Sequence, residues 1–334
     1  MKNRVDVTII GGGPTGLFAS FYAGLRGMSV RIIESLSELG GQLSTLYPEK
    51  PIYDMPGFPE IQAKDLAQNL IKQGTQFEPD LVVGETAEEL IQDDQGYVIR
   101  TQAGSHYPTK TLIIAAGAGA FRPVRLGAVG EEQFENSGVY YGVSQISHFK
   151  DKSLVIIGGG DSAFDWALTL APIARQIKLI HRRDHFRAHE ETVRKVKESC
   201  VEFCLSKVVK EFAGNGRLQS VVVEDLNTNS LDTYSADAAI INAGFKSSIG
   251  PLKSWGLTIE KNHIIVGKYY ESNLPGVFVI GDVAGYEGKI KLIATGMAEA
   301  AEVVCYIKTL LDPSAKLFPG HSSDMDLDPL KHSI

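Results

Sequence analysis

Short apolar runs rich in β-branched residues recur along the chain, each closed by small or polar residues. They include Val5-Asp6-Val7-Thr8-Ile9-Ile10, Ser29-Val30-Arg31-Ile32-Ile33 and Thr111-Leu112-Ile113-Ile114-Ala115-Ala116. Further on come Leu154-Val155-Ile156-Ile157, Gln176-Ile177-Lys178-Leu179-Ile180 and Ala238-Ala239-Ile240-Ile241. Runs of this length, apolar on both faces, fit the buried strands of a parallel sheet. Helix-like segments follow two of them, Leu17 to Leu25 and Phe164 to Leu170. A longer helix is predicted over Met297 to Leu310, after a last strand in Gly276-Val277-Phe278-Val279-Ile280-Gly281-Asp282. Strands alternating with helices predict an α/β fold. At ~100–200 residues per domain, 334 residues leave room for two. No apolar run reaches the ~18 residues of a membrane span.

The junctions carry the chemistry. The chain has 34 glycines, about a tenth of its residues against an average near 7%, and they cluster where strand gives way to helix. Gly11-Gly12-Gly13-Pro14-Thr15-Gly16 fits G-x-G-x-x-G through Gly11, Gly13 and Gly16. The spacing serves a tight turn, close backbone approach to a pyrophosphate and close helix–strand packing. The anion then sits on free N–H groups at the helix start. Glu34, 18 positions after Gly16, closes the next strand, where an acid is expected to bind ribose hydroxyls. A second turn, Gly158-Gly159-Gly160-Asp161-Ser162-Ala163, fits G-x-G-x-x-A through Gly158, Gly160 and Ala163. Here the position 18 residues on is His181, followed by Arg182 and Arg183. Guanidinium forks bind a 2′-phosphate that a carboxylate would repel. Arg187 is a further candidate. Two such turns imply two dinucleotides, FAD at the acidic site and NADPH at the basic one.

The first fold does not finish before the second begins. Small-residue stretches at Ala115-Ala116-Gly117 and Asn242-Ala243-Gly244 read as paired crossings. The expected architecture is two Rossmann-like, three-layer dinucleotide-binding domains. An NADPH domain, 118–244, is inserted in a discontinuous FAD domain, 1–117 and 245–334. The net charge of −7 argues against nucleic acid, where a basic footprint is expected, and against a charged membrane surface. The start, Met1-Lys2-Asn3-Arg4-Val5-Asp6, leads straight into a strand and does not read as a signal peptide. Three cysteines cannot form a disulfide scaffold, so a reducing, cytoplasmic setting is expected.

The chain resembles the two-dinucleotide flavoprotein reductases in Gly11 to Gly16, the Ala115-Ala116-Gly117 crossing, Gly158 to Ala163 and Gly281-Asp282. Most such enzymes work through a dithiol. The branch resembling glutathione reductase carries it soon after the first helix, where Gly40-Gly41-Gln42-Leu43-Ser44-Thr45 has no cysteine. The branch resembling thioredoxin reductase places C-x-x-C early in the NADPH domain, where Gly142 and Gln145 stand instead. Cys200 and Cys204 read as buried and unreactive, and Cys305 as a core residue.

What remains resembles the thioredoxin-reductase-like ferredoxin/flavodoxin–NADP+ reductases. The resemblance rests on length, Gly41-Gln42-Leu43, Tyr47-Pro48-Glu49-Lys50 and His321-Ser322-Ser323. It implies electron transfer between NADPH and ferredoxin or flavodoxin, with FAD and NADP(H) as cofactors and a homodimer as the assembly. It implies that Asp282 binds the ribityl chain and Tyr47 stacks on one flavin face. Gln42 and Thr15 would bind the dinucleotide, Phe121 lie near it, and Ala87 match the backbone position at the adenine. His321 would cover the other flavin face, beside Ser323. The NADPH set would be Gly158, Gly160, Asp161, Ser162, His181, Arg182 and Arg183. No nucleophile, acid–base residue or metal is called for. Tyr53 and Phe58 read as packing residues. Rival readings are an NADPH diaphorase or quinone reductase, a disulfide reductase, and an FAD-binding redox sensor without turnover.

Overall fold

A computed structural model describes residues 3–117, 119–143 and 145–324. The chain separates into two compact units, 1–120 with 247–334, and 121–246. It passes between them at strands Ala120–Pro123 and Phe245–Ser248, which pair with each other.

The first unit is built on a seven-stranded sheet. Val5–Ile10 lies between Val30–Glu34 and His106–Ile114, parallel to both, and Asp80–Val83 extends the parallel run beyond Val30–Glu34. Along its other edge, His106–Ile114 takes the antiparallel hairpin Ala87–Asp93 and Gly96–Thr101 near its start and Val277–Val279 near its end. Alternation sorts these strands' side chains to two faces. Val7, Ile9, Ile32 and Ile113 pack under helices Pro14–Leu25, Ala63–Gly74 and Ile293–Leu311. Ile10, Ile33, Leu112 and Ile114 pack the other way, against Tyr97, Ile99, Trp255 and Ile264. Burial on both sides explains why these strands read as unbroken apolar runs.

The second unit repeats the plan. Its five strands run parallel in the order Val139–Tyr140, Ala238–Ile241, Ser153–Ile157, Gln176–His181, Glu202–Leu205. Leu154 and Ile156 face helices Asp161–Leu170 and Glu190–Lys197. Val155 and Ile157 face a three-stranded antiparallel sheet, through Phe212, Val221 and Val223. Each unit thus packs helices on one face of a mainly parallel sheet, and the second covers the other face with an antiparallel sheet. No helix among the described residues is long and apolar enough to cross a membrane.

Candidate dinucleotide sites

The two glycine turns are built alike. In the first, a Cβ on Gly11 would lie 2.5 Å from the Ala115 carbonyl oxygen, and one on Gly16 1.9 Å from that of Gly11. These two glycines let helix 14–25 press against the sheet. A Cβ on Gly13 would meet nothing nearer than Gly41 Cα, at 3.9 Å. That side of the turn is open beside the helix start, as a pyrophosphate cradle requires. In the second turn, a Cβ on Gly158 would lie 2.5 Å from the Asn242 carbonyl oxygen, while one on Gly160 meets nothing within 4 Å.

The turns differ in what they hold. Glu34 is buried, and its carboxylate accepts the Gly12 N–H at 2.7 Å and the Leu36 N–H at 2.8 Å. The Ser35 hydroxyl also donates to it, at 3.1 Å, which leaves it locked to the turn with a lone pair to spare for a hydroxyl donor. His181 takes the equivalent place in the second unit, its ring so close to Gly159 that a Cβ there would lie 2.3 Å away. Burial pushes its pKa below the ordinary 6.5, and Arg182 and Arg183 push the same way, so the ring is neutral near pH 7. Arg182, Arg183 and Arg187 are exposed. The loop that carries them is tied to the turn by the Arg187 N–H on the Gly159 carbonyl (2.8 Å) and the His189 N–H on the Asp161 carboxylate (2.8 Å). Asn242 Oδ1, on the residue that abuts Gly158, is buried without a hydrogen-bond partner. An open cradle, exposed guanidinium groups and an unsatisfied acceptor fit a phosphorylated dinucleotide.

Around the first turn the structure gathers most of the expected residues. Gly40 donates to the Gly12 carbonyl at 2.8 Å, and a Cβ on Gly41 would lie 2.9 Å from Gly13 Cα. Gln42 therefore begins its short helix beside the turn. Thr15 fills the notch left by Gly281 and Gly296, where Cβ atoms would come within 3.2 and 2.2 Å of its hydroxyl. Asp282 follows Gly281 in a turn after strand 277–279. Tyr47 is half-buried, and its hydroxyl is pushed up by burial and then by the nearby Asp282 and Asp54 carboxylates. Ala87 is buried close to Glu34, whose carbonyl takes the Glu85 N–H at 3.2 Å. Helix 293–311 starts beside Thr15 with no acid in its first turn. Free N–H groups and unopposed dipole ends there favour an anionic ligand edge.

The remaining expected residues lie on other segments. Phe121 stands in strand 120–123, and its side chain lies outside the described residues. His321 and Ser323 are exposed, with the His321 ring edge-on to Phe318 at 5.4 Å. Their segment is tied down by Arg26, which donates to the carbonyls of Lys316 (2.7 Å) and Leu317 (3.1 Å). Arg26 ends helix 14–25, roughly 18 Å along the axis from the glycine turn at 1.5 Å per residue. Tyr53 and Phe58 are 65% and 39% exposed and do not pack in the core. Cys200 is exposed as well, because it lies in the turn after helix 190–197; Cys204 is buried and Cys305 half-buried.

Sequence reasoning missed one part of the site. Glu299, in helix 293–311, is 1% exposed and accepts the Gly281 N–H at 2.7 Å, the Tyr286 hydroxyl and the Lys289 ammonium. Its position three residues after Gly296 and four before Val303, on the buried face, was the available signal.

Two dinucleotide folds in one chain define a class, and comparison with known proteins bears it out. Residues 5–300 match the pyridine nucleotide-disulphide oxidoreductase family, and the chain belongs to it. It is 46% identical over 322 residues to a ferredoxin–NADP reductase of Halalkalibacterium halodurans, covering 96% of this chain and 97% of that one. It is 49% identical to a ferredoxin–NADP reductase of Metallosphaera sedula, over 96% of this chain and 98% of that one. Among solved structures it is similar to a thioredoxin reductase of Lactococcus lactis, with TM-score 0.74 and 26% identity over 92% of this chain and 99% of that one.

Proposed function

We propose that this chain is a ferredoxin–NADP reductase, carrying FAD in the first unit and taking NADP(H) in the second. The observation that carries the assignment of sites is the repeated turn: a carboxylate bound to the loop in one copy, exposed guanidinium groups beside it in the other. When bound, FAD supplies the conversion between the two-electron chemistry of NADPH and the single electrons of ferredoxin.

The protein's part is to bind, orient and exclude water. Gly11, Gly13 and Gly16 admit the FAD pyrophosphate to the N–H groups of helix 14–25, with Thr15 and Gln42 alongside. Glu34 would accept ribose hydroxyls and Asp282 the ribityl hydroxyls, with Ala87 near the dinucleotide. Tyr47 would cover one face of the flavin ring. Gly158, Gly160, Asp161 and Ser162 would seat the NADPH pyrophosphate, with His181 beside the turn, and Arg182 and Arg183 would bind the 2′-phosphate. The three cysteines stand at neither dithiol position, so electrons pass to ferredoxin without a disulfide relay. Flavodoxin, the other carrier of this kind, is an alternative acceptor. A tail anchored by Arg26 at the far end of helix 14–25 supports a homodimer in which His321 and Ser323 serve a second copy's flavin. The setting we assign is the cytoplasm.

NADPH-dependent cytochrome c reduction, with and without added ferredoxin, tests this reading. Strong stimulation by ferredoxin is expected. Dye or quinone reduction without stimulation would make the protein a diaphorase, and failure to oxidise NADPH would make it a sensor.

A further inference from the structure

The buried Glu299 lies three residues past Gly296, on the helix face turned toward Thr15 and the Gly281–Asp282 turn. Three donors reach its carboxylate from one loop. The Gly281 N–H meets Oε2 at 2.7 Å, and the Tyr286 hydroxyl and Lys289 ammonium share Oε1. The Lys289 side chain is only 8% exposed and its ammonium lies 5.3 Å from the centre of the Tyr286 ring. The loop is thereby pinned at its first residue and again at its return. Gly281 has little room of its own: its φ is +74°, and a Cβ would press on Thr15. The peptide that carries Asp282 is thus held between Thr15 on one side and Glu299 on the other.

A buried ion pair is a poor way to gain stability, because desolvation offsets the attraction and an apolar pair of like volume serves as well. A carboxylate fixed on a rigid helix does supply direction, since it can accept from several donors at once. Asp282 itself is part-exposed, and its carboxylate has no hydrogen bond or ion pair among the described residues, so the backbone of its turn sets where it points.

We propose that Glu299, charge-balanced by Lys289, is the positioning residue for Asp282, and that it acts on FAD affinity through the Gly281–Asp282 turn. This rests on the reading of the first unit as the FAD site.

A double-mutant cycle on the deflavinated protein tests it, with FAD affinity read by quenching of flavin fluorescence. Losing a charged hydrogen-bonding group on the ligand weakens binding about tenfold or more, so Asp282→Asn should do so. Glu299→Gln leaves the Lys289 ammonium buried without its counter-charge, which should displace the loop that carries Asp282 and weaken FAD binding by a similar factor, roughly tenfold. In the Asp282→Asn background, Glu299→Gln should cost less than about threefold more, because the contact it organises is already gone. Should Glu299→Gln not fold, Glu299→Asp takes its place. It keeps the charge opposite Lys289 but draws the carboxylate back from the Gly281 N–H, and should weaken FAD binding by roughly tenfold, and by less than about threefold in the Asp282→Asn background. Fully multiplicative losses in the cycle, or FAD binding unaffected by either Glu299 variant, would overturn the positioning role alone. An unaffected Asp282→Asn, or no FAD binding by the unaltered protein, would overturn the FAD site and the positioning role with it.

Discussion

Replacing Arg182 and Arg183 with glutamine should convert a strong preference for NADPH into near indifference between NADPH and NADH. Both side chains are exposed at the end of strand 176–181, so their loss should change stability by no more than ~0.5 kcal/mol. Each guanidinium can give a phosphate a pair of charge-assisted hydrogen bonds, worth ~1.5–3 kcal/mol when shielded. At an exposed loop, screening brings this to roughly 1–1.5 kcal/mol each. Together they stand for about 2–3 kcal/mol, a rise of roughly 30- to 150-fold in the KM for NADPH. The KM for NADH should move by less than about threefold, since that ligand offers them no phosphate. The assay is steady-state ferricyanide reduction with each nucleotide at low and at high salt, and the NADPH preference of the unaltered protein should fall as salt rises. Equal losses for both nucleotides would mean the arginines serve the fold or the pyrophosphate and not the 2′-phosphate. A preference left intact would remove them from recognition altogether.

Other expectations follow from single contacts. Gly13→Ala should leave the apoprotein's Tm within ~2 °C, because its Cβ enters open space, yet weaken FAD binding more than tenfold where the pyrophosphate must approach. Gly16→Ala, whose Cβ would lie 1.9 Å from the Gly11 carbonyl oxygen, should lower Tm by roughly 10 °C or prevent folding. Arg31 is buried in its strand, paired with Asp80 at 2.7 Å and donating to the Pro108 and Asn3 carbonyls; Arg31→Met should cost about 2–3 kcal/mol in urea unfolding. Glu131 is buried; burial pushes its pKa up, but the Tyr141 hydroxyl and the Leu126, Ala128 and Gly127 N–H groups bring it below the ordinary 4.5. Its stabilisation is therefore present above pH 4.5 and is lost as pH falls through the lower folded value. Glu131→Gln should be ~1–3 kcal/mol less stable at pH 7, with the gap closing in acid unfolding profiles.

The glycine turns were legible in sequence because their physics is local. The collision that excludes a Cβ at Gly16 and the hydrogen bond from Gly12 to Glu34 lie within one strand–turn–helix–strand unit, whereas the collision at Gly11 is with Ala115, about a hundred residues on. The role expected of Asp282 came from resemblance, since Thr15 and Glu299, which hold its turn, come from distant segments. Glu299 and Lys289 were not read at all: such residues are almost never buried unless paired, and nothing in a linear pattern announces that each pairs with the other. Arg31 passed as one polar residue in an apolar strand, although its fork closes contacts to three separate segments. The tail's placement depends on Arg26, some 290 residues earlier in the chain, a distance over which periodicity says nothing. Cys200 was expected inside and lies outside, because apolar character alone does not distinguish the last turn of a helix from the strand it leads into.

The central claim is that this protein passes electrons from NADPH, through bound FAD, to ferredoxin without a disulfide relay. Anaerobic single-turnover mixing tests it most directly: FAD-loaded protein with one equivalent of NADPH, mixed with an excess of oxidised ferredoxin and followed at the flavin and ferredoxin absorption bands. The account predicts two ferredoxins reduced for each NADPH consumed, with the same stoichiometry when Cys200, Cys204 and Cys305 are all replaced by serine. Ferredoxin left oxidised while NADPH is consumed, or transfer abolished by the serine replacements in a folded, FAD-loaded protein, would contradict it.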